Sequence, residues 1–438
     1  MLGAKRSEEI PRPAVAWAVY DLAYSLFTFI VVIRFLPAWI IDDLERPDWY
    51  VSVTQVGVVI FLLAAMPLAG ALADQFGRRK PLLLAFTLIS CGTGALLTIV
   101  PADDTVIYVL VVAAVTVAFA QLAFAQYDPL LADVAPPERH GRVSGLAVAL
   151  GFVGVILGLA LVAELIVGEG DKQRAFAPAA ALYVLFALPA LLLIRERPRK
   201  RAEHVHVGAP PLGRAVRQVS QSFRQIRQFP LIFRFLAGRL FYSEAIVTLS
   251  AFIAVYMTRL GGFSEREKNI VIGLSVLFAA IGAIVGGRFV ERLGPRIPLV
   301  VVIPMFAACV LLSAAVGEGW TVWVVSPIAG ASLGVVWTAD RVFMLHLTPI
   351  ELRGQFFGFF NLANRVASAL GPLIIWSGTI WVLHDSTGWL SQLGASRAAL
   401  VGLAIAALIG WVLVRGVHRD HEAAVGEQVS WSESTGHV

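Results

Sequence analysis

The sequence predicts an all-α polytopic membrane protein, with twelve transmembrane helices in two pseudo-symmetric six-helix bundles, and three observations predict it. First, the 438 residues are 58% hydrophobic and 15% charged, with mean hydropathy +0.76, whereas soluble domains are roughly 45–50% apolar and about 25% charged. No water-soluble core hides that much apolar side chain, and the length accommodates about a dozen crossings of roughly 20 residues. Second, the stretch Gly70-Ala-Leu-Ala-Asp74-Gln-Phe-Gly77-Arg78-Arg79-Lys80 has a reduced copy, Gly287-Arg-Phe-Val-Glu291-Arg-Leu-Gly294-Pro-Arg296, 217 residues later. Third, Pro136-Pro-Glu138-Arg-His-Gly141-Arg-Val-Ser-Gly145 is echoed by Pro349-Ile-Glu351-Leu-Arg-Gly354-Gln-Phe-Phe-Gly358 at an offset of 213. Two separate motifs repeating at nearly one spacing imply a duplicated six-span unit.

In chain order, residues 1–13 form a cytoplasmic N-terminus whose Lys5, Arg6 and Arg12 are followed at once by a long apolar helix, unlike a cleavable signal peptide. Residues 14–194 form the first bundle, with spans near 14–41, 51–73, 81–101, 105–127, 143–165 and 174–194. Residues 195–230 are a linker in which Arg195, Arg197, Arg199, Lys200, Arg201, Arg214, Arg217, Arg224 and Arg227 face only Glu196 and Glu203. Its second part repeats Leu212, Val216, Val219, Phe223 and Ile226 at helical spacing, the pattern of a basic amphipathic helix lying on anionic lipid. A tether between bundles explains the same pattern. Residues 231–415 form the second bundle, with spans near 231–258, 270–287, 297–316, 321–345, 356–382 and 397–415, and 416–438 is a polar tail expected to lack structure.

Charge sets the orientation. The loop after span 1 (Asp42, Asp43, Glu45, Arg46, Asp48) and the loop after span 3 (Asp103, Asp104) are acidic. Arg78, Arg79 and Lys80 follow span 2, and Arg288, Arg292 and Arg296 follow span 8. Lysine and arginine favour the cytoplasmic side, so both termini are placed there. Trp39, Trp49, Trp320, Trp323 and Trp389 fall at predicted outer ends, as an interfacial belt would. The net charge of +5 follows from this distribution and needs no nucleic acid. Cys91 and Cys309 each lie in an apolar run, and no metal, cofactor or nucleophile–base constellation appears, so the chain reads as neither an enzyme nor a metalloprotein.

The glycine–acid–glycine–arginine loop, once in each half, resembles the signature of the major facilitator superfamily. Trp17-Ala-Val-Tyr20-Asp21-Leu-Ala-Tyr-Ser25-Leu-Phe27 resembles the WxxYDxxxSxF opening of permeases related to the yeast vacuolar amino-acid effluxer. Arg142-Val-Ser144-Gly145 with Gly151, and Gly354 to Asn361 with Gly371-Pro372, are similar to further pieces of that branch. The chain departs from it at Asp128, where Asn is usual, and at Tyr242-Ser243-Glu244, where an Asp is common. The resemblance implies the major facilitator fold in the bacterial cytoplasmic (inner) membrane, acting as a monomer. It also implies export of amino acids or similar small metabolites by alternating access, with protons as a possible coupling ion. Efflux of drugs or lipid-like compounds, and a sensor or scaffold with a transporter fold, are the alternatives. Span 4 lacks the arginine motif of proton antiporters in the drug-efflux branch.

Charges at membrane depth are costly unless paired or wetted, so each is a candidate functional group. They are Asp21, Arg239, Glu244, Asp340, Arg341 and Arg365. By the resemblance, spans 1, 4, 7 and 10 line a central cavity, where Asp21 and Glu244 would face each other across the twofold axis and hold a substrate amine or a proton. Asp21 has a second reading, as a helix cap or a fixed partner of Arg239. Tyr24, Gln121, Gln126, Tyr127, Tyr242 and Trp337 would shape the site or satisfy interhelical bonds. For gating, Asp74 is expected to point at the positive N-terminal end of span 11 and Glu291 at that of span 5, each favouring the outward-open state by about 1–2 kcal/mol. Gly70, Gly77, Gly287 and Gly294 would allow close approach and tight turns, with Arg79 and Arg296 holding the acids. Asp128 and Arg341 occupy equivalent repeat positions with opposite charge, which reads either as an inner-gate salt bridge between them or as each meeting a nearer partner. Gly154 with Gly158, and Gly282 with Gly286, are expected where the bundles slide on each other.

Overall fold

A computed structural model describes residues 10–46, 49–100, 106–167, 171–196, 228–260, 263–316 and 319–435. Among them ten helices are long and apolar enough to cross a bilayer, and two shorter apolar helices, Lys80–Leu96 and Ile374–His384, supply the remaining spans. In the first half they are α1 (Arg12–Ile41), α2 (Val53–Phe76), α3 (Lys80–Leu96), α4 (Val106–Val134), α5 (Pro137–Val167) and α6 (Lys172–Leu193). The second half has α7 (Pro230–Leu260), α8 (Arg266–Leu293), α9 (Arg296–Val316), α10 (Gly319–Leu347), α11 and α12 (Gln392–Val417). Helix α11 opens as Arg353–Gly371 and continues in π geometry through Pro372–Gly378 and Trp381–Ser386. No strand occurs among the described residues.

The two halves use one packing scheme. Helix α1 packs on α5 and α6, α2 on α4, and α3 on α4 and α6; correspondingly α7 packs on α11 and α12, α8 on α10, and α9 on α10 and α12. Between halves, α2 packs on α11 and α8 on α5, again as a related pair. Side chains such as Ile60, Ile107, Leu165 and Leu192 are more than 60% exposed, an outer surface that only a hydrocarbon solvent tolerates.

Local chemistry sets the helix ends. Ser264 and Glu267 close a reciprocal capping box at the start of α8. Pro13 sits in the first turn of α1, where its missing N–H has no helical acceptor to lose. Gly77 (φ 64°) and Gly294 (φ 75°) turn the chain out of α2 and α8 in the left-handed region that glycine enters without strain. The C-terminal parts of α1 (Thr28–Phe35) and α5 (Leu159–Val167) widen into π-helix.

Several expectations change. The tail continues the last helix to Thr435, with no proline in 416–435 to interrupt it. Trp39 is buried against Phe176, 5.4 Å between ring centroids, whereas Trp320 and Trp389 are exposed. Gly154 and Gly158 pack on Leu22, Leu26 and Ile30 of α1, and Gly282 and Gly286 on Ala331 and Val335 of α10, so both pairs lie inside their own bundles. Gly154 is thirteen residues past Gly141, which turns it about 140° round the helix from the face that meets α8. The amphipathic linker helix and its anionic-lipid contact, and the acids Asp48, Asp103 and Asp104, lie outside the described residues.

Candidate functional site

The span-1 motif assembles one wall of the site. Trp17 donates its indole N–H to the Tyr127 carbonyl at 3.0 Å and stacks on the Tyr127 ring at 4.5 Å. The Tyr20 hydroxyl bonds to Thr87 (2.7 Å) and Tyr183 (2.9 Å), tying α1 to α3 and α6. Tyr24 stacks on Phe124 at 4.1 Å and donates to Gln121 Oε1 at 2.9 Å. Three aromatic rings thus fix one face of α1, and the adjoining stripe carries Asp21, which bonds to the other bundle, and Ser25, which bonds to Asp21. Spacing of about 100° per residue does this: Asp21 and Ser25 are one turn apart on one stripe.

Across the interface stands Arg341 of α10. Its Nη2 donates to Asp21 Oδ2 at 3.0 Å and its Nε reaches Asp128 Oδ1 at 2.8 Å, so one cation of the second half binds two carboxylates of the first. Asp128 also accepts from Asn361 Nδ2 at 2.9 Å, and Trp17, Phe124 and Tyr127 surround the guanidinium at 5.3 to 5.7 Å. Within the second half, Arg239 pairs with Asp340 (3.0 Å), donates to the Phe360 carbonyl (2.7 Å) and lies 3.6 Å from the Phe360 ring centroid. All five charged groups are buried. Pairing makes that tolerable; an isolated charge there would cost several kcal/mol.

On this ionic layer rests a cavity of about 250 Å³. Ser25, Phe152, Val155, Trp337, Asn364 and Arg365 form its walls, with Asp21, Asp128, Asp340 and Arg341 beneath. On the two helices that carry both layers, Ser25 and Trp337 lie four residues farther than Asp21 and Arg341 from the end that bears the turns at Gly77 and Gly294.

At the end that carries those turns, the bundles are latched twice. Asp74 accepts the Gly354 and Gln355 backbone N–H groups, 3.0 Å each, at the start of α11, and is held by Arg79, which is fully buried. Glu291 accepts the Arg142 N–H at 3.1 Å and pairs with the Arg142 side chain at 2.5 Å. The latches are images of each other: Asp74 maps to Glu291 by the 217 offset, and Arg142 to Gln355 by the 213 offset. A Cβ on Gly70 would meet the Gly354 carbonyl and one on Gly141 the Gly287 carbonyl, so backbones touch at both. Ser144 adds a bond from its hydroxyl to the Thr338 carbonyl at 3.0 Å.

Of the expected site residues, Asp21, Tyr24, Arg239, Trp337, Asp128, Asp340, Arg341 and Arg365 line the cavity. Gln121, Tyr127 and Tyr242 are buried behind it, and Gln126 is buried as well. The expected Asp21–Glu244 pair does not line one site: Glu244 is five residues beyond Arg239, about 140° round the helix, and is half-buried off the cavity. Asp21 meets Arg341 rather than Arg239, because Asp340 of the same bundle takes Arg239. The cation on Glu291 is Arg142, whereas Arg296 donates to the Arg415 carbonyl. Arg78 is exposed. Sequence reasoning missed Phe152, Phe360, Asn361 and Asn364 as lining groups. Asn361 and Asn364 sit one turn apart from, and beside, Arg365 on an otherwise apolar helix, and that polar stripe was the available signal.

The Major Facilitator Superfamily profile matches residues 15–372. Similar relatives include the uncharacterized MFS-type transporter YxiO of Bacillus subtilis (strain 168), 23% identical over 94% of this chain and 96% of that protein. Another is the tetracycline resistance protein, class H, of Pasteurella multocida, 25% identical over 75% of this chain and 83% of that one. Among solved structures, the E. coli fucose:proton symporter FucP superposes with a TM-score of 0.70 at 14% identity, covering 92% of this chain and 98% of the other.

Proposed function

The chain belongs to the major facilitator superfamily, and on that premise we infer that it is a secondary active transporter moving a small solute across the cytoplasmic membrane by alternating access. It is a transporter and not an enzyme. The observation that carries the mechanism is the reciprocal pair of latches at one end, with the cavity on the far side of a charge layer shared by both bundles. With the basic turns on the cytoplasmic side, this is an outward-facing state whose inner gate is shut.

Opening the inner side must break the Asp74 and Glu291 contacts and the Arg341 bridges to Asp21 and Asp128. A solute that relieves those bridges shifts the equilibrium by its differential affinity for the two states. Asp21 is the proton-coupling candidate, since its neutralisation would leave Arg341 held by Asp128 alone. Motifs of the span-1 and span-11 type support amino acids or similar metabolites as cargo and export as direction. Drug efflux is the second reading, supported by the similarity to a tetracycline resistance protein and by the aromatic walls.

The test is solute flux into proteoliposomes of the purified chain, with and without a pH gradient. Substrate-dependent flux that loses its proton dependence in Asp21→Asn is the expected outcome. Ligand binding with no flux would overturn the transport reading in favour of a sensor.

A further inference from the structure

The cavity's charges do not pair off evenly. Its floor holds Asp21, Asp128 and Asp340 against Arg239 and Arg341, and every one of these five is engaged in an ion pair. Arg365 on the wall is the sixth charge. Among the described residues its guanidinium has one polar neighbour, the Tyr24 hydroxyl at 3.5 Å, a long contact to a neutral group. The adjacent Asn364 has a buried side-chain oxygen with no hydrogen-bond partner. A cation kept at membrane depth without a counter-ion costs several kcal/mol unless water or a ligand completes it. Arginine presents a rigid fork of donors that matches a carboxylate two bonds at a time, which a lysine does not.

We propose that Arg365 is the binding group for a carboxylate on the transported solute, with the Asn364 side-chain N–H donating alongside and the solute's apolar part against Trp337 and Phe152. This deepens the transport reading above and rests on it. The volume of about 250 Å³ falls at or below the low end of ordinary ligand pockets, about 300 Å³, which selects a small metabolite. The floor's three carboxylates outnumber its two arginines by one, so a solute carrying an ammonium as well as a carboxylate meets a net negative floor and Arg365 on the wall of one cavity. An amine without a carboxylate leaves Arg365 bare, and a neutral amphipath leaves both.

The test uses purified full-length protein and matched sets of probes that share one hydrocarbon body: leucine, phenylalanine and methionine, their deaminated carboxylates, and their decarboxylated amines. Binding is read by ligand-induced thermal shift and titration calorimetry. Carboxylate-bearing probes should bind and the amines should not; leucine against its deaminated analogue then decides whether the ammonium adds affinity. Arg365→Gln should weaken carboxylate binding about 10- to 100-fold, the range of charged hydrogen bonds, with Arg365→Lys between. Asn364→Asp, which sets a competing carboxylate beside Arg365 without removing it, should weaken it as well while melting normally. The proposal is overturned if amines bind as tightly as their carboxylates, if Arg365→Gln leaves carboxylate binding unchanged, or if no carboxylate probe binds the native chain at tens of millimolar. Failure of the transport reading looks different: carboxylates would bind through Arg365, yet the accessibility of a cysteine at the inner gate would never change.

Discussion

Replacing Asp74 by Asn separates two energies that meet on one carboxylate. Its bond with Arg79 lies within the first bundle, so on the alternating-access reading it persists whether the inner gate is open or shut. Its bonds with the Gly354 and Gln355 N–H groups, 3.0 Å each, cross between bundles, so on the same reading they exist only when the gate is shut. The first loss strands a buried guanidinium and lowers overall stability by about 3–5 kcal/mol. The second shifts the gate by about 2 kcal/mol, the upper range for a partly buried charge at a helix N-terminus. At about 1.4 kcal/mol per tenfold, the open fraction rises roughly 30-fold.

A cysteine at Ser144, fully buried where α5 meets α10, reports that fraction through its alkylation rate. The buried native Cys91 and Cys309 are first replaced by Ala. Asp74→Asn in the Ser144→Cys background should react about 30-fold faster at a temperature well below its lowered Tm. Glu291→Gln should have the smaller effect, because its Arg142 partner is 44% exposed and such pairs contribute about 0–1 kcal/mol. An unchanged rate in Asp74→Asn, or a larger one in Glu291→Gln, would refute the latch as described.

Three further outcomes are expected. Gly70→Ala drives a methyl into the Gly354 carbonyl and should open the same gate by about 1–3 kcal/mol, whereas Gly92→Ala, whose Cβ meets nothing within 4 Å, should melt at or above the native Tm; the alkylation rate and a thermal melt check both. Asp128→Asn removes one of the two carboxylates on Arg341 while Asp21 remains, so the protein should fold and its flux should fall at least about tenfold, roughly one charged hydrogen bond; native flux would take Asp128 out of the gate. Glu244→Gln should leave proteoliposome flux within about twofold of native, since neutralising a half-buried group off the cavity is worth little more than a few tenths of a kcal/mol; a tenfold loss would return Glu244 to the site.

The apolar excess, the spans and the duplication were legible in the chain because each is a one-dimensional signal: hydropathy over some twenty residues, or a motif repeating at a fixed offset. The contacts of Asp74 and Glu291 with the starts of α11 and α5 were legible too, as both acids sit at helix ends whose partners repeat with them. Tertiary structure alone decided which charge meets which. The sequence set Asp21 against Glu244 or Arg239 and matched Arg341 to Asp128 alone; in the fold Arg239 pairs with Asp340, Glu244 turns away, and Arg341 takes both Asp21 and Asp128. Glycine pairs likewise carry no face label: Gly141 touches Gly287 across the interface while Gly154, on the same helix, touches Leu22 in its own bundle. Among the described residues Arg365 has no ion-pair partner because the five other charges of the cavity have found one another in three dimensions. A sequence lists the charges at membrane depth, but their pairing depends on helix rotation and crossing, which the packing of the whole bundle sets.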